Sequence, residues 1–276
     1  MSYTTTIWRL LITPPASGAW NMAVDEALLS SVHQGLSPPT LRLYAWQPPC
    51  LSLGYAQSIQ DVDLHRLAER GWELVRRPTG GKAILHTDEL TYAVIASHAE
   101  PRLAGSVLQS YQRISGALLE ALHNLSLHAR SSENPQLPPS AESGGPVCFE
   151  VPSHYEITVD GKKLIGSAQA RRREGVLQHG SLPLHGDLTR ITQVLAYENE
   201  MERTLAGERL LERAATVAQI LGYSPPWEAV CQAFSEAFAK TLDLELQPRD
   251  LSASESIAAQ SLAAEKYSHP AWIKRV

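Results

Sequence analysis

One cysteine and two lysines stand close enough along the chain to share a reaction. Cys148 lies in GPVCFEVPSHYE, residues 145–156, where a Ser-, Pro- and Gly-rich segment ends, and Lys162 and Lys163 follow the turn dipeptide Asp160-Gly161. An ionised thiol is the form that attacks a thioester, and an ammonium beside it lowers the thiol pKa from its free value of about 8.5. The competing reading of a lone cysteine is a small buried hydrophobe. That reading suits Cys231, set among Val230, Phe234 and Phe238 on a helical pattern, and Cys50, between Pro49 and Leu51 on a strand. A second chemical feature is RRPTGGKAILH, Arg76 to His86, in which two arginines end a strand and Gly80 and Gly81 let the backbone come close to a ligand. Such a turn suits an anionic or carbonyl-bearing ligand; its plain alternative is a Gly-rich hairpin with exposed arginines.

Other chemistries are disfavoured by what stands at the key positions. Lys82 is followed by Ala rather than Ser or Thr and lacks the upstream glycine of a P-loop, no GxGxxG follows a strand, and no HExxH occurs. The ten histidines show no metal-ligand spacing, so neither a metal nor another cofactor is expected. Three widely spaced cysteines argue against a disulfide framework. A net charge of −5 disfavours nucleic-acid binding, which draws on Lys and Arg against phosphates. Two local basic clusters remain, Arg76, Arg77 and Lys82, and then Lys162, Lys163 and Arg171 to Arg173; the simplest reading of each is a solvated face. With no leader pattern and no apolar run near the ~18 residues of a membrane span, a cytoplasmic protein with no membrane partner is expected.

The elements that must position these residues are mixed. Asn21 to His33 has helical spacing, with Asn21 as N-cap and Gly35 beyond its end. Leu41 to Ala45 and Leu51 to Gly54 read as a strand pair, Asp63 to Arg70 as a short helix, and Trp72 to Arg76, Lys82 to His86 and Leu90 to Ala96 as further strands. Val107 to Leu122 is a long amphipathic helix. Residues Ser131 to Pro146 have no apolar period and read as a mobile surface loop, of a length that is usually functional or disordered. Tyr155 to Val159 then enters a tight type I′ hairpin at Asp160-Gly161, with Lys162 to Ala170 and Gly175 to Leu184 continuing an antiparallel set. Past about residue 200 only helices are read, Gly207 to Leu221, Trp227 to Leu242 and Ser254 to Tyr267. The expected fold class is therefore α/β (α+β), a mixed, largely antiparallel sheet flanked by helices, with residues 1–200 as the main domain and 201–276 as a small C-terminal helical subdomain. Strand alternation puts Lys162 and Lys163 on opposite faces, Lys163 with Ile165, Ser167 and Gln169, and Lys162 with Leu164, Gly166 and Ala168. Alternation alone does not choose between them.

The RRxTGG turn with its following histidine, then GKKLIGSA, then LQHGSL at Leu177 to Leu182, in this order from Trp8 to about Leu184, resemble the biotin and lipoate protein ligase superfamily. Within it the chain is most similar to the lipoyl(octanoyl) transferases of the Bacillus type, through CFE-x-P-S-x-Y-E at Cys148 to Glu156 and EKYSHPAWIKR at Glu265 to Arg275. The ATP-dependent ligases usually show a third glycine where this chain has Lys82, and need no cysteine at position 148. The resemblance implies a lipoate-ligase-like catalytic domain that moves an octanoyl group from octanoyl acyl carrier protein to a lysine of a lipoyl-type protein, either the H protein of glycine cleavage or a lipoyl domain. Under it Cys148 is the nucleophile and Lys163 the lysine facing the acyl group. Arg76, Arg77, Thr79, Gly80 and Gly81 line the acyl and pantetheine end, and backbone N–H groups near Gly166, Ser167 and Ala168 stabilise the oxyanion. His86 and His179 are either supports behind the site or ordinary core residues, and Arg171 to Arg173 either dock the carrier or form a solvated tip. An ATP-dependent ligase, an octanoyl amidotransferase between lipoyl proteins and a non-catalytic carrier-binding module are the competing functions.

Overall fold

The computed structural model describes residues 3–133, 146–147 and 155–276. Cys148, most of the segment around it and most of the loop read from Ser131 to Pro146 lie outside the described residues. In chain order the elements are β1 (Thr6–Ile12), α1 (Gly18–His33), β2 (Thr40–Tyr44), β3 (Cys50–Leu53), α2 (Leu64–Glu69), β4 (Glu73–Arg76), β5 (Ile84–His86), β6 (Glu89–Ala96) and α3 (Val107–Asn124). There follow β7 (Arg130–Glu133), β8 (Tyr155–Val159), β9 (Lys162–Arg172), β10 (Gly175–Pro183), α4 (Glu200–Arg213), α5 (Val217–Leu221), α6 (Trp227–Thr241), β11 (Leu244–Pro248), α7 (Ala253–Leu262) and α8 (Pro270–Ile273). No described helix is long and apolar enough to cross a membrane.

Eight strands make the main sheet in the order β11-β1-β2-β6-β10-β9-β8-β7, and β4-β3-β5 make a second, smaller one. The β11–β1–β2 edge is parallel; from β2 through β6, β10, β9, β8 and β7 every pairing is antiparallel. Central β6 is buried along its whole length because both faces are covered. Tyr92 and Val94 pack with Ile114 and Leu118 of α3 and Phe234 and Phe238 of α6, while Ala93 and Ile95 pack with Met22 and Leu28 of α1. The expected mixed, largely antiparallel sheet flanked by helices is what the chain forms.

Several local expectations are corrected. Helix α1 starts three residues before the predicted Asn21, with the Ser17 side chain accepting from Trp20 N–H. Asn21 is committed elsewhere: its amide donates to the carbonyls of Ala16 and Ala45 and accepts from Arg42. Strands β2 and β3 are not partners. Both edges of β2 are taken, by β1 and β6, so β3 is left to pair with β4 and β5. Residues Ser131 to Glu133, read as loop, belong to β7. Beyond residue 200 a strand does return, β11, which closes the parallel edge against β1; its Leu244-Glu245-Leu246-Gln247 alternation is short, ends at Pro248 and is easily passed over beside the helical pattern before it.

The Asp160-Gly161 hairpin forms as read, with φ of 50° and 79° at the two turn positions. Just beyond it the register shifts: Thr158 faces Lys163 but Ile157 faces Ile165, so β9 carries one extra residue there. Leu164 and Ile165 consequently both join the core against α3 and α6. Simple alternation fails at this point, and Lys163 does not share the face of Ile165.

Candidate active site

The RRPTGG turn is built around one arginine and two close backbone approaches. Arg77 lies inside the turn, donating from Nη2 to the carbonyls of Gly80 (2.8 Å) and Lys82 (2.7 Å) and from Nη1 to the Ser52 carbonyl (3.0 Å). Gly81 has φ of +93°, a conformation side-chain-bearing residues avoid, and a Cβ on Gly54 would stand 1.8 Å from the Gly81 carbonyl oxygen. Arg76 points the other way. Its guanidinium donates to the carbonyls of Gly54, Gln57 and Ile273, and the Trp272 indole N–H donates back to the Arg76 carbonyl at 2.8 Å. The C-terminal segment thus fastens the strand that carries the turn.

Under the turn is a small, mostly apolar cavity between the two sheets and α1. Two rows of residues across the main sheet form its floor, because directly paired residues project to the same side. One row is Gly166, Ser181, Thr91 and Tyr44; the next is Ala168 and His179, continued past the cavity by Ala93 and Arg42. Gly81, Ser52, Ile84 and His86 cover it, Met22 of α1 closes one side, and Trp46 stacks on His86 with centroids 3.9 Å apart. Of the residues singled out from sequence, Arg77, Gly81, His86, Gly166, Ser167, Ala168 and His179 line this cavity. Thr79 stands directly behind it on His179, Gly80 is exposed at the turn, and Arg76 is not part of the lining.

Two buried polar networks hold the walls. In the first, Asp25 Oδ1 is 2.7 Å from Arg42 Nη1, and its Oδ2 accepts from the Tyr44 hydroxyl and faces His179 Nδ1 at 3.3 Å. Burial opposes ionisation of Asp25, but Arg42 and His179 outweigh it and hold the carboxyl below its usual range. Burial also lowers the His179 pKa against the pull of Asp25, which keeps the ring neutral. A neutral ring donating from Nδ1 to Asp25 must accept at Nε2, so the Thr79 hydroxyl, 2.7 Å away, is the donor there. In the second network Glu89 Oε1 accepts from the Thr91 and Ser181 hydroxyls and lies 2.6 Å from His86 Nδ1, while His86 Nε2 meets Ser52 Oγ at 2.8 Å. His86 and His179 are therefore supports as well as lining. Sequence reading missed Asp25, Arg42, Trp46, Glu89 and Ser181. A signal was available in Arg42, a charge set between leucines of a strand, and in Asp25, on the apolar run of α1.

The Asp25–Arg42 pair gives a stability prediction. Asp25→Ala leaves the fully buried Arg42 guanidinium without its carboxylate and is expected to cost about 3–5 kcal/mol in urea unfolding; a loss under ~1 kcal/mol would sink the assignment. Because the folded-state pKa of Asp25 is depressed, its contribution is complete above the unfolded value of about 3.9 and disappears as pH falls through the lower folded value.

The two lysines differ sharply in setting. Lys162 is exposed and its Nζ donates to the Leu211 carbonyl. Lys163 is 4% exposed, with Nζ 3.3 Å from Glu156 Oε1, and its backbone bridges to Ala214. Ala214 belongs to the same apolar cluster as Ala83, just past the RRPTGG turn, and Val147. Val147 is bridged to Ala83, and the Pro146 carbonyl accepts from Ala83 N–H at 2.9 Å and from the Gln57 amide at 3.0 Å. Cys50 and Cys231 are both buried, and burial raises both thiols, Cys231 to about 12. Among the described residues no cluster of three His, Cys, Asp or Glu side chains is arranged to hold a metal ion.

Residues 17–239 match the family described as lipoyl protein ligase A/B catalytic domain. The octanoyltransferase LipM of Kyrpidia tusciae is 42% identical over 269 residues, covering 96% of this chain and 97% of its own. That of Staphylococcus aureus is 35% identical over 277 residues, covering 98% and 99%. Among solved structures, a bipartite lipoate protein ligase from Thermoplasma acidophilum, studied with its E2 lipoyl domain, superposes with a TM-score of 0.80 at 25% identity over 99% of this chain and 97% of its own. A lipoate-protein ligase A bound with ATP gives 0.79 at 26% identity, over 98% of this chain and 99% of its own.

Proposed function

Because the chain belongs to the lipoyl protein ligase A/B catalytic family and is an octanoyltransferase of lipoate biosynthesis, we propose that it takes its octanoyl group from acyl carrier protein as a thioester and passes it through Cys148 to a protein lysine. The Cys148 thiolate attacks the thioester carbonyl, a new S–C bond replaces the one to the phosphopantetheine sulfur, and the carrier leaves as a thiol after taking a proton. The neutral amine of the acceptor lysine then attacks the acyl-enzyme; the amide N–C bond forms, the nitrogen loses a proton and Cys148 departs as thiolate. Acceptors of this chemistry are the H protein of glycine cleavage and the lipoyl domains of dehydrogenase complexes.

The observation carrying the proposal is the position of Lys163, a buried ammonium on the strand that supplies Gly166, Ser167 and Ala168 to the cavity. Cys148 is one peptide bond from Val147, which shares an apolar cluster with Ala214, the bridge partner of Lys163. A cation in that neighbourhood lowers a thiol pKa and can hand a proton to the leaving sulfur. The cavity takes the acyl chain against Met22, Ile84 and Trp46. For the oxyanion, the described ladder between β8 and β9 ends at Ile165, whereas β9 pairs with β10 from Gly166 on. Alternate backbone N–H groups of an antiparallel strand point away from its partner, which makes the Gly166 to Ala168 edge the source of donors.

Transfer is expected to proceed without ATP, since a thioester is already activated. Intact mass measurement after mixing with octanoyl acyl carrier protein and an acceptor domain should show the acceptor gain one octanoyl group in the absence of nucleotide. A strict need for ATP with free octanoate would move the chain to the ligases instead.

A further inference from the structure

On a chain of net charge −5, one face gathers several cations around a single tyrosine ring. Arg171 is not among them: it turns inward and donates to the Leu103 carbonyl, Gln169 and Ser110. Arg172, from the β9 end of the β9–β10 turn, and Arg275, just after α8, sit over the Tyr55 ring at 4.8 and 4.0 Å from its centroid. Arg275 foremost, and Arg172 with it, lower the Tyr55 pKa, and Arg172 Nη2 also donates to the Pro78 carbonyl at 3.0 Å. Among the described residues neither guanidinium has a carboxylate within salt-bridge distance, and exposed Arg173 and Lys274 extend the patch. Lys266 alone is paired, with Glu26. Like charges converging on one uncharged ring are costly to assemble, and they make sense where an anion completes the site.

The patch borders an open groove whose lining includes Tyr55, Pro78, Ala170, Arg172, Trp272 and the carboxylate of Glu174. That groove adjoins the acyl cavity. Ala170 lines the one and Ala168 the other, two residues apart on one face of β9 and so separated by about 7 Å; Pro78 is followed by Thr79, which holds His179. A nucleotide fits poorly, because the faces of Tyr55 and Trp272 on which a base would stack are already covered by Arg172, Arg275 and Lys266. The exposed cations of Arg172, Arg173, Lys274 and Arg275 suit carboxylates presented on a protein surface.

We infer that this face, formed by Arg172, Arg173, Lys274 and Arg275 around Tyr55, is the docking surface for the acidic carrier protein that delivers the octanoyl thioester. The inference rests on the donor proposed above. It is tested with the Arg173→Glu/Arg275→Glu double variant and two donors, octanoyl acyl carrier protein and octanoyl-pantetheine, which has the same thioester without the protein body. At low ionic strength kcat/KM for the carrier should fall roughly tenfold, through KM, and the deficit should shrink as salt screens the wild-type attraction. Rates with octanoyl-pantetheine should stay within about twofold of wild type, since only steering is altered. Unchanged carrier kinetics, or equal losses with both donors, would overturn the docking surface while leaving the donor intact. A wild-type enzyme inert toward the carrier thioester would overturn the donor reading, and the inference with it.

Discussion

Cys148→Ser is expected to fold normally yet lose at least a hundredfold, on the order of the penalty for replacing a thiolate by an unactivated hydroxyl, in octanoyl transfer. The reason is chemical. A serine hydroxyl near neutral pH has almost no alkoxide, and a neighbouring cation could only stabilise a charge that hardly forms. Wild-type enzyme mixed with octanoyl acyl carrier protein and no acceptor should gain one octanoyl mass, released by neutral hydroxylamine as thioesters are, and addition of a lipoyl acceptor should discharge it. Cys50 and Cys231 are the internal controls: both are buried, and burial raises both thiols. Wild-type transfer by Cys148→Ser, or an adduct mapped to Cys50 or Cys231, would end the proposed mechanism while the fold assignment survived.

Which parts of this site sequence could reveal follows from the range of the interactions involved. The Asp160-Gly161 hairpin, the RRPTGG turn and the long helix α3 are local, since dihedral preference and apolar period are written in adjacent residues. Strand β11 is not, because its place is decided by the open parallel edge of β1 more than 200 residues earlier in the chain. The same holds for the networks behind the cavity. Asp25, Arg42, His179 and Thr79 come from α1, β2, β10 and the turn, and only the folded chain shows that one carboxylate orients a histidine which in turn holds the turn. Arg76 and Arg77 are adjacent and look equivalent in sequence, yet one fastens the C-terminal segment and the other fills the turn beside the cavity. The resemblance to a known family singles out Lys163; alternation puts Lys162 and Lys163 on opposite faces without choosing between them, and the register shift just beyond takes Lys163 off the face of Ile165.

Lys162 and Lys163, paired with Val159 and Thr158 ahead of that shift, give the sharpest contrast between neighbouring residues. Lys163→Ala should lower turnover by about 10²–10⁴-fold, the range of general acid–base contributions, and Lys162→Ala should leave it within about twofold, as for an exposed surface change. Lys162 is exposed and reaches the end of α4, whereas Lys163 is buried beside Glu156. Loss of activity alone would also follow from a disturbed fold, so the charge role needs its own readout. A cation near a thiol favours the thiolate, and removing it must raise the thiol pKa. The pH dependence of Cys148 alkylation by iodoacetamide should accordingly shift to higher pH in Lys163→Ala and stay in place in Lys162→Ala, with unfolding midpoints recorded for both. An unmoved alkylation profile in Lys163→Ala would show that this lysine does not tune the cysteine. Equal losses in the two variants would instead mean that the strand enters the site in a different register from the one that pairs Thr158 with Lys163.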